Sequence, residues 1–173
     1  MVTESVSGFD FQQIFAEHAP ALFRWAYRLT GSAADAEEIV QECFLALLRP
    51  GRTFDPGRAP VRTYLYGAVR NQALKRLRRR EVPGDGNEPR ALEDSPQRRL
   101  ERQELSEAVA EAMARLTDGQ REVVVLAHYE QLPISEIADI LQIDAGAVKS
   151  RLQRARAALK ELLAAHAGKE TGR

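Results

Sequence analysis

The sequence has a single cysteine, Cys43, in 173 residues. That excludes an internal disulfide and every paired-cysteine metal motif, and it fits a reducing compartment. Cys43 falls in an apolar helical register and reads as core rather than as a nucleophile. His18, His128 and His166 stand far apart, and no H-x-x-x-H spacing occurs. No metal and no cofactor are therefore expected, and neither a Walker loop nor a G-x-G-x-x-G stretch is present. With no catalytic constellation, a self-sufficient enzyme is not expected. No apolar run is long enough to span a bilayer and no signal-peptide pattern appears, so a cytoplasmic protein without membrane insertion is expected.

Net charge is also lacking, with 25 Lys and Arg against 25 Asp and Glu. A neutral total argues against a nucleic-acid partner, but the charges are sorted along the chain. From Arg62 to Arg80 every charge is positive: Arg62, Arg70, Lys75, Arg76, Arg78, Arg79 and Arg80. Lys149 to Lys160 is a second positive block, and Glu4, Asp10, Glu17, Asp35, Glu37, Glu38 and Glu42 make the N-terminal part acidic. Local field governs binding, so two basic patches outweigh the zero sum.

The apolar periodicity is helical throughout, with no convincing alternating strand. The expected architecture is all-α: two small helical domains, 9–80 and 97–165, joined by a flexible linker over 81–96 that is rich in Pro, Gly, Asp and Glu. A first helix follows Asp10, and Pro20 is placed in the first turn of a second, capped by Gly31. Ser32-Ala33-Ala34-Asp35 and Thr117-Asp118-Gly119-Gln120 read as capping boxes that open later helices. Ser95-Pro96 reads as another helix start.

Three faces have chemistry. On the helix after Ser32, Ile39, Val40, Cys43, Phe44, Leu47 and Leu48 form the core side, which leaves Asp35, Glu38, Gln41, Glu42 and Leu45 together on the other. That side is either a solvated polar face or an acidic docking surface for a basic helix. Next, the loop from Arg49 to Pro60 carries Arg52, Phe54 and Arg58. It leads into a helix bearing Arg62, Tyr64, Tyr66, Arg70, Asn71, Lys75 and Arg78. Rings among arginines suit single-stranded nucleic acid, because rings stack on bases while guanidinium groups hold phosphates. The plainer alternative makes the tyrosines core-edge residues and the arginines solubilising ones.

The third face lies in Ile134 to Leu163. A short amphipathic helix, which Ser135 can cap, is followed by a turn at Gln142-Ile143-Asp144 and a longer basic helix that Asp144 can cap. Val148, Leu152, Ala155, Leu159 and Leu162 form its buried stripe. Gly146, Ser150, Gln153 and Arg154 point away, flanked by Lys149, Arg151 and Arg156. A small, polar, basic face on the second helix of such a pair suits a DNA major groove. A helical hairpin with a solvated basic face remains the alternative.

DAEEIVQECFLALL, TYLYGAVRNQALKRLRRR and LTDGQREVVVLAHYEQLPISEIADILQIDAGAVKSRLQRARAAL, in that order, resemble conserved regions of the extracytoplasmic-function sigma factors of bacterial RNA polymerase. The resemblance runs from about Phe9 to Leu163. It implies a bacterial sigma subunit that binds polymerase core and directs promoter-specific initiation, often under an anti-sigma protein. It implies that Asp35, Glu38, Gln41, Glu42 and Leu45 meet the coiled coil of the largest catalytic polymerase subunit. The loop residues Arg52, Phe54 and Arg58 and the helix residues Arg62, Tyr64, Tyr66, Arg70, Asn71, Lys75 and Arg78 would capture melted bases of the −10 element. Asp144, Gly146, Lys149, Ser150, Arg151, Gln153 and Arg154 would read the −35 element as duplex. Tyr64 departs from the family's usual tryptophan, and Gln142 from its usual turn glycine. The competing readings are a stand-alone helix-turn-helix regulator and a pure protein-interaction module. The first requires a ligand or receiver domain in the N-terminal half, where the sequence instead has an acidic helix, a Pro/Gly loop and an arginine-rich helix.

Overall fold

The computed structural model describes residues 10–49, 54–81 and 107–170. The chain divides into two units, Met1–Glu93 and Asp94–Arg173. Among the described residues all regular structure is helical. The expected linker and the Ser95-Pro96 helix start lie outside the described residues, apart from Glu81, which ends a helix.

The first unit is three mutually packed helices: α1 (Phe11–Thr30), α2 (Ala33–Leu48) and α3 (Val61–Glu81). Asp10 caps α1 by accepting from the Gln13 N–H at 3.2 Å. Gly31 ends it in the left-handed region, φ 68°, with its N–H on the Tyr27 carbonyl at 2.8 Å. The expected break at Pro20 is absent: α1 is one helix of 20 residues with Pro20 inside it. Proline in a helix interior costs about 3 kcal/mol or more. Packing on both sides of it offsets that cost. Before Pro20, Phe15 lies 4.8 Å and Phe11 6.0 Å from the Phe44 ring. After it, Leu22, Trp25 and Ala26 are fully buried. Trp25 is the largest side chain of this core, and its indole N–H has no acceptor among the described residues. An unmade hydrogen bond costs about 1–3 kcal/mol. Burying about 200 Å² of aromatic surface contributes about 5 kcal/mol, so burial prevails.

Ser32 caps α2 by accepting from the Asp35 N–H at 3.3 Å. Ile39, Val40, Cys43 and Phe44 are buried as expected, and Leu47 and Leu48 are half-buried. Burial, helped by the Glu42 charge, pushes the Cys43 thiol up to about 12, which suits a packing role. On α3 the core stripe is Tyr66, Val69 and Ala73, with Leu65 and Thr63 beside it. Tyr66 is only 2 % exposed, with its ring 6.3 Å from Trp25. It belongs to the packing of this unit and not to the surface.

The second unit contains α4 (Glu107–Ala114), α5 (Asp118–Val124), α6 (Ile134–Leu141) and α7 (Ala145–Glu170). The capping box before α5 is complete. Gln120 N–H donates to Thr117 Oγ1 at 3.4 Å, and Thr117 N–H donates to Gln120 Oε1 at 3.1 Å. The α5 helix does not run on regularly. It widens into a π-helical turn over Val125–Tyr129, which closes with the Glu130 N–H on the Val125 carbonyl at 3.1 Å. Glu122 through Leu126 are all buried, so this segment is enclosed on every side rather than on one face. Arg121 ties α4 to it: the guanidinium donates to the carbonyls of Met113, Ala114 and Leu116 at 3.0–3.1 Å. These are carbonyls that a helix end leaves without intrahelical donors.

Helix α6 buries Ile137, Ala138, Ile140 and Leu141. Its cap position is Pro133, not Ser135, and Ile137 N–H donates to the Pro133 carbonyl at 3.1 Å. Ser135 falls inside the first turn, where it is exposed. Gln142 ends α6 in the left-handed region, φ 56° and ψ 44°. Its Nε2 donates to the Asp139 carbonyl at 2.6 Å, and the Ile143 N–H closes on Ala138 at 3.1 Å. Gln131 also has positive φ, 51°, for which the sequence holds no glycine signal.

A left-handed side-chain-bearing residue costs roughly 1–2 kcal/mol. Gln142→Gly removes this strain and loses one exposed side-chain hydrogen bond, so it should stabilise the second unit by about 0.5–1 kcal/mol in chemical denaturation. An unchanged or lowered stability contradicts strain at this turn.

Candidate functional site

Burial of the apolar stripes turns three charged faces outward. On α2, Asp35, Glu38, Glu42 and Leu45 recur at steps of three, four and three, so they form one stripe, with exposed Gln41 beside it. Leu45 is 55 % exposed, so it ends the stripe with an apolar side chain in solvent. The carboxylates are not merely solvated, because Arg76 of α3 reaches across to all three. Its Nη1 lies 2.7 Å from Glu38 Oε2 and 3.4 Å from Asp35 Oδ1, and its Nη2 lies 3.3 Å from Glu42 Oε1.

Arg76 is 20 % exposed, and Asp35 is similarly sheltered, whereas Glu38 and Glu42 stand in solvent. The hydrogen bond from Arg76, followed by its charge, holds the Glu38 carboxyl below its ordinary value of 4.5. The same bond raises the Arg76 guanidinium further, so both partners favour the charged pair. Arg76 was legible only as part of the positive run. The signal that places it is its register: Val69, Ala73 and Arg76 continue the buried stripe of α3 at steps of four and three, which aims Arg76 at the neighbouring helices.

The second face is the loop before α3 together with the solvent side of α3. Asp55 shapes the loop, since its Oδ1 accepts from Gly57 N–H at 2.9 Å and its carbonyl from Arg58 N–H at 3.0 Å. Phe54 packs on Tyr64 with ring centroids 5.3 Å apart, both half-buried. Arg58 is exposed, and Arg52 lies outside the described residues. Asn71, Lys75 and Arg78 are exposed and share one stripe at steps of four and three. Arg62 and Arg70 are half-buried at its margin. Tyr66 is buried and offers no exposed ring to this face.

The third face is on α7. Asp144 Oδ1 accepts from Ala147 N–H at 2.9 Å, so this carboxylate serves as the cap of the helix. A Cβ at Gly146 would stand 2.9 Å from that same oxygen, which explains why a residue without one sits there. Val148, Leu152 and Ala155 are buried, while Lys149, Ser150, Gln153 and Arg154 are exposed. Leu159 and Leu162 are only half-buried. Arg154 Nε donates back to the Ser150 carbonyl at 3.2 Å. Arg151 is half-buried and lies along α5, where a Cβ on Gly119 would be 3.4 Å from its Nη1. Arg156 Nη2 lies 3.4 Å from His128 Nε2. Among the described residues no group of His, Cys, Asp and Glu is arranged to hold a metal, and no helix is long and apolar enough to cross a membrane.

A three-helix unit with opposed charged faces, followed by a unit that ends in a helix-turn-helix, defines a class. Residues 14–82 match Sigma-70 region 2, and residues 106–159 match Sigma-70, region 4. The ECF RNA polymerase sigma factor SigL of Mycobacterium tuberculosis is 33 % identical over 150 residues, covering 85 % of each chain. SigE of Mycolicibacterium smegmatis is 30 % identical over 91 % of this chain, which spans 63 % of that relative's length. Among solved structures, CnrH in complex with the cytosolic domain of CnrY is 30 % identical, covers 92 % of each chain and has a TM-score of 0.66. The chain belongs to the family of ECF RNA polymerase sigma factors.

The clamp has a pH signature. A carboxyl whose folded value is depressed contributes stability that is complete above its ordinary value of 4.5 and is lost as pH falls through the lower folded value. NMR titration of the Glu38 carboxyl carbon should give a midpoint below 4.5 that rises towards it in Arg76→Ala. A wild-type midpoint at or above 4.5 contradicts the ion pair.

Proposed function

We propose that this chain is a promoter-recognition subunit with no catalytic activity of its own, acting in the bacterial cytoplasm. It binds polymerase core through Asp35, Glu38, Gln41, Glu42 and Leu45. A stripe of carboxylates ending in an exposed leucine suits a basic helix that also buries an apolar side chain, here the coiled coil of the largest catalytic subunit. Extruding a base costs a few kcal/mol of stacking and pairing, so capture of the melted −10 element needs a pre-formed surface with cations beside it. Phe54 and Tyr64 supply rings, and Arg58, Arg62, Arg70, Asn71, Lys75 and Arg78 supply charge and hydrogen bonds. Duplex −35 DNA is read from α7 by Lys149, Ser150, Gln153 and Arg154, with Arg151 at the margin. Asp144 and Gly146 act by building the helix start rather than by touching bases. An anti-sigma protein is the expected regulator. In its support, CnrH is a relative solved with a partner's cytosolic domain.

The observation that carries this reading is the sorting of charge in a neutral chain: carboxylates on α2 and cations on the solvent stripes of α3 and α7. A stand-alone regulator has no use for the acidic stripe. Charge reversal separates the two. Glu38→Lys and Glu42→Lys should each weaken binding to core polymerase at least tenfold, about 1.4 kcal/mol, and leave duplex promoter binding intact. Lys149→Ala and Arg154→Ala should do the opposite, with each lost phosphate contact lowering the slope of log affinity on log salt by about one. Normal core binding by both reversals overturns the docking assignment, and unchanged DNA binding by both alanine variants overturns the assignment of α7.

A further inference from the structure

Arg76 occupies the face on which docking is proposed. The stripe Asp35, Glu38 and Glu42 spans two helical turns, about 10 Å along the axis. One guanidinium contacts all three carboxylates, at 2.7, 3.3 and 3.4 Å. It thereby takes a position that a basic side chain of any docking helix would also need, and it uses the same Glu38 Oε2. We propose that Arg76 is an internal latch on α2, filling the place of the partner's cation and swinging away when the partner binds. This inference rests on the docking role of the acidic stripe.

Two further observations fit a latch better than a rivet. The Glu38 and Glu42 ends of the network are open to solvent, so the contact can be exchanged without opening the core. Exposed ion pairs are individually weak and screened by salt, so an incoming helix with several cations and an apolar contact outcompetes one arginine. Ile39 and Phe44 of α2 and Leu65 and Val69 of α3 are meanwhile buried, so apolar burial also holds these helices in the unit. Once released, Arg76 adds a cation to α3, next to the exposed Lys75. Docking on α2 then strengthens the hold of α3 on phosphates, and by reciprocity DNA on α3 favours docking.

The test measures binding of the full chain to bacterial core RNA polymerase by competition with a labelled copy of the same chain. Arg76→Gln keeps a polar, hydrogen-bonding side chain and removes the charge. It should bind core more tightly, by about threefold, the scale expected when weak, solvent-screened ion pairs no longer have to be broken. Arg76→Lys, which keeps the charge but lacks the planar fork that reaches three carboxylates, should tighten binding less. Far-UV circular dichroism and melting report whether each variant folds. Unchanged or weaker binding by folded Arg76→Gln overturns the latch and makes Arg76 a structural tie. If Arg76→Gln melts early, Arg76→Lys decides in the same way. The docking role itself is checked separately with Glu38→Lys. If that variant loses core binding while Arg76→Gln gains nothing, only the latch fails. If Glu38→Lys binds core as wild type does, the docking role fails and the latch with it.

Discussion

Helices α2 and α7 must each take an apolar stripe out of water, and that constraint sets the direction of their other side chains. With Val148, Leu152 and Ala155 buried, Lys149, Ser150, Gln153 and Arg154 have nowhere to go but solvent. With Ile39, Val40, Cys43 and Phe44 buried, the carboxylates of α2 form an outward stripe. A single-residue slip of either stripe would turn cations or carboxylates towards the core, at a cost of several kcal/mol per buried charge. The direction of these faces is therefore set by the cores beneath them. Caps fix where each helix starts: Ser32 for α2, Thr117 for α5 and Asp144 for α7.

Charge is then organised on top of that frame. The total is zero, yet carboxylates and cations are sorted onto different helices. The acidic stripe of α2 and the positive run of α3 meet at Arg76, which belongs to the α3 run by sequence and to the α2 stripe by contact. One residue thus links the face proposed for core polymerase to the face proposed for melted DNA. On α7, Lys149 and Arg154 are exposed.

The sequence made the helical class, the Thr117 capping box, the Ser32 cap (though without the reciprocal Asp35 bond of a full box), the Gly31 stop and the Gln142 turn legible, because each depends on local chemistry. It also marked Cys43 as core. Where the reading failed, tertiary packing overrode a local rule. Pro20 signals a helix start, but aromatic packing before it and the Trp25 core after it hold a continuous helix. Steps of four group Tyr66 with Arg62 and Arg70, but its steps of three and four to Val69 and Ala73 put it in the core. Ser135 is a good capping residue one position late, since Pro133 and Ile134 already set the start of α6. The π turn at Val125–Tyr129 has no punctuating Gly or Pro, so only the packed structure reveals it. Arg76 was hidden in a run of like residues, and its partner stripe lies 34 to 41 residues away along the chain.

The central claim is that one chain joins an acidic docking face to two DNA-facing surfaces and so turns core polymerase into a promoter-specific enzyme. Transcription in vitro with purified full chain, core polymerase and a library of promoter fragments, followed by sequencing of transcript starts, tests it most directly. The account predicts starts that depend on the added chain and share sequence elements near −35 and −10. Stable folding of the chain with neither core binding nor chain-dependent starts would contradict it.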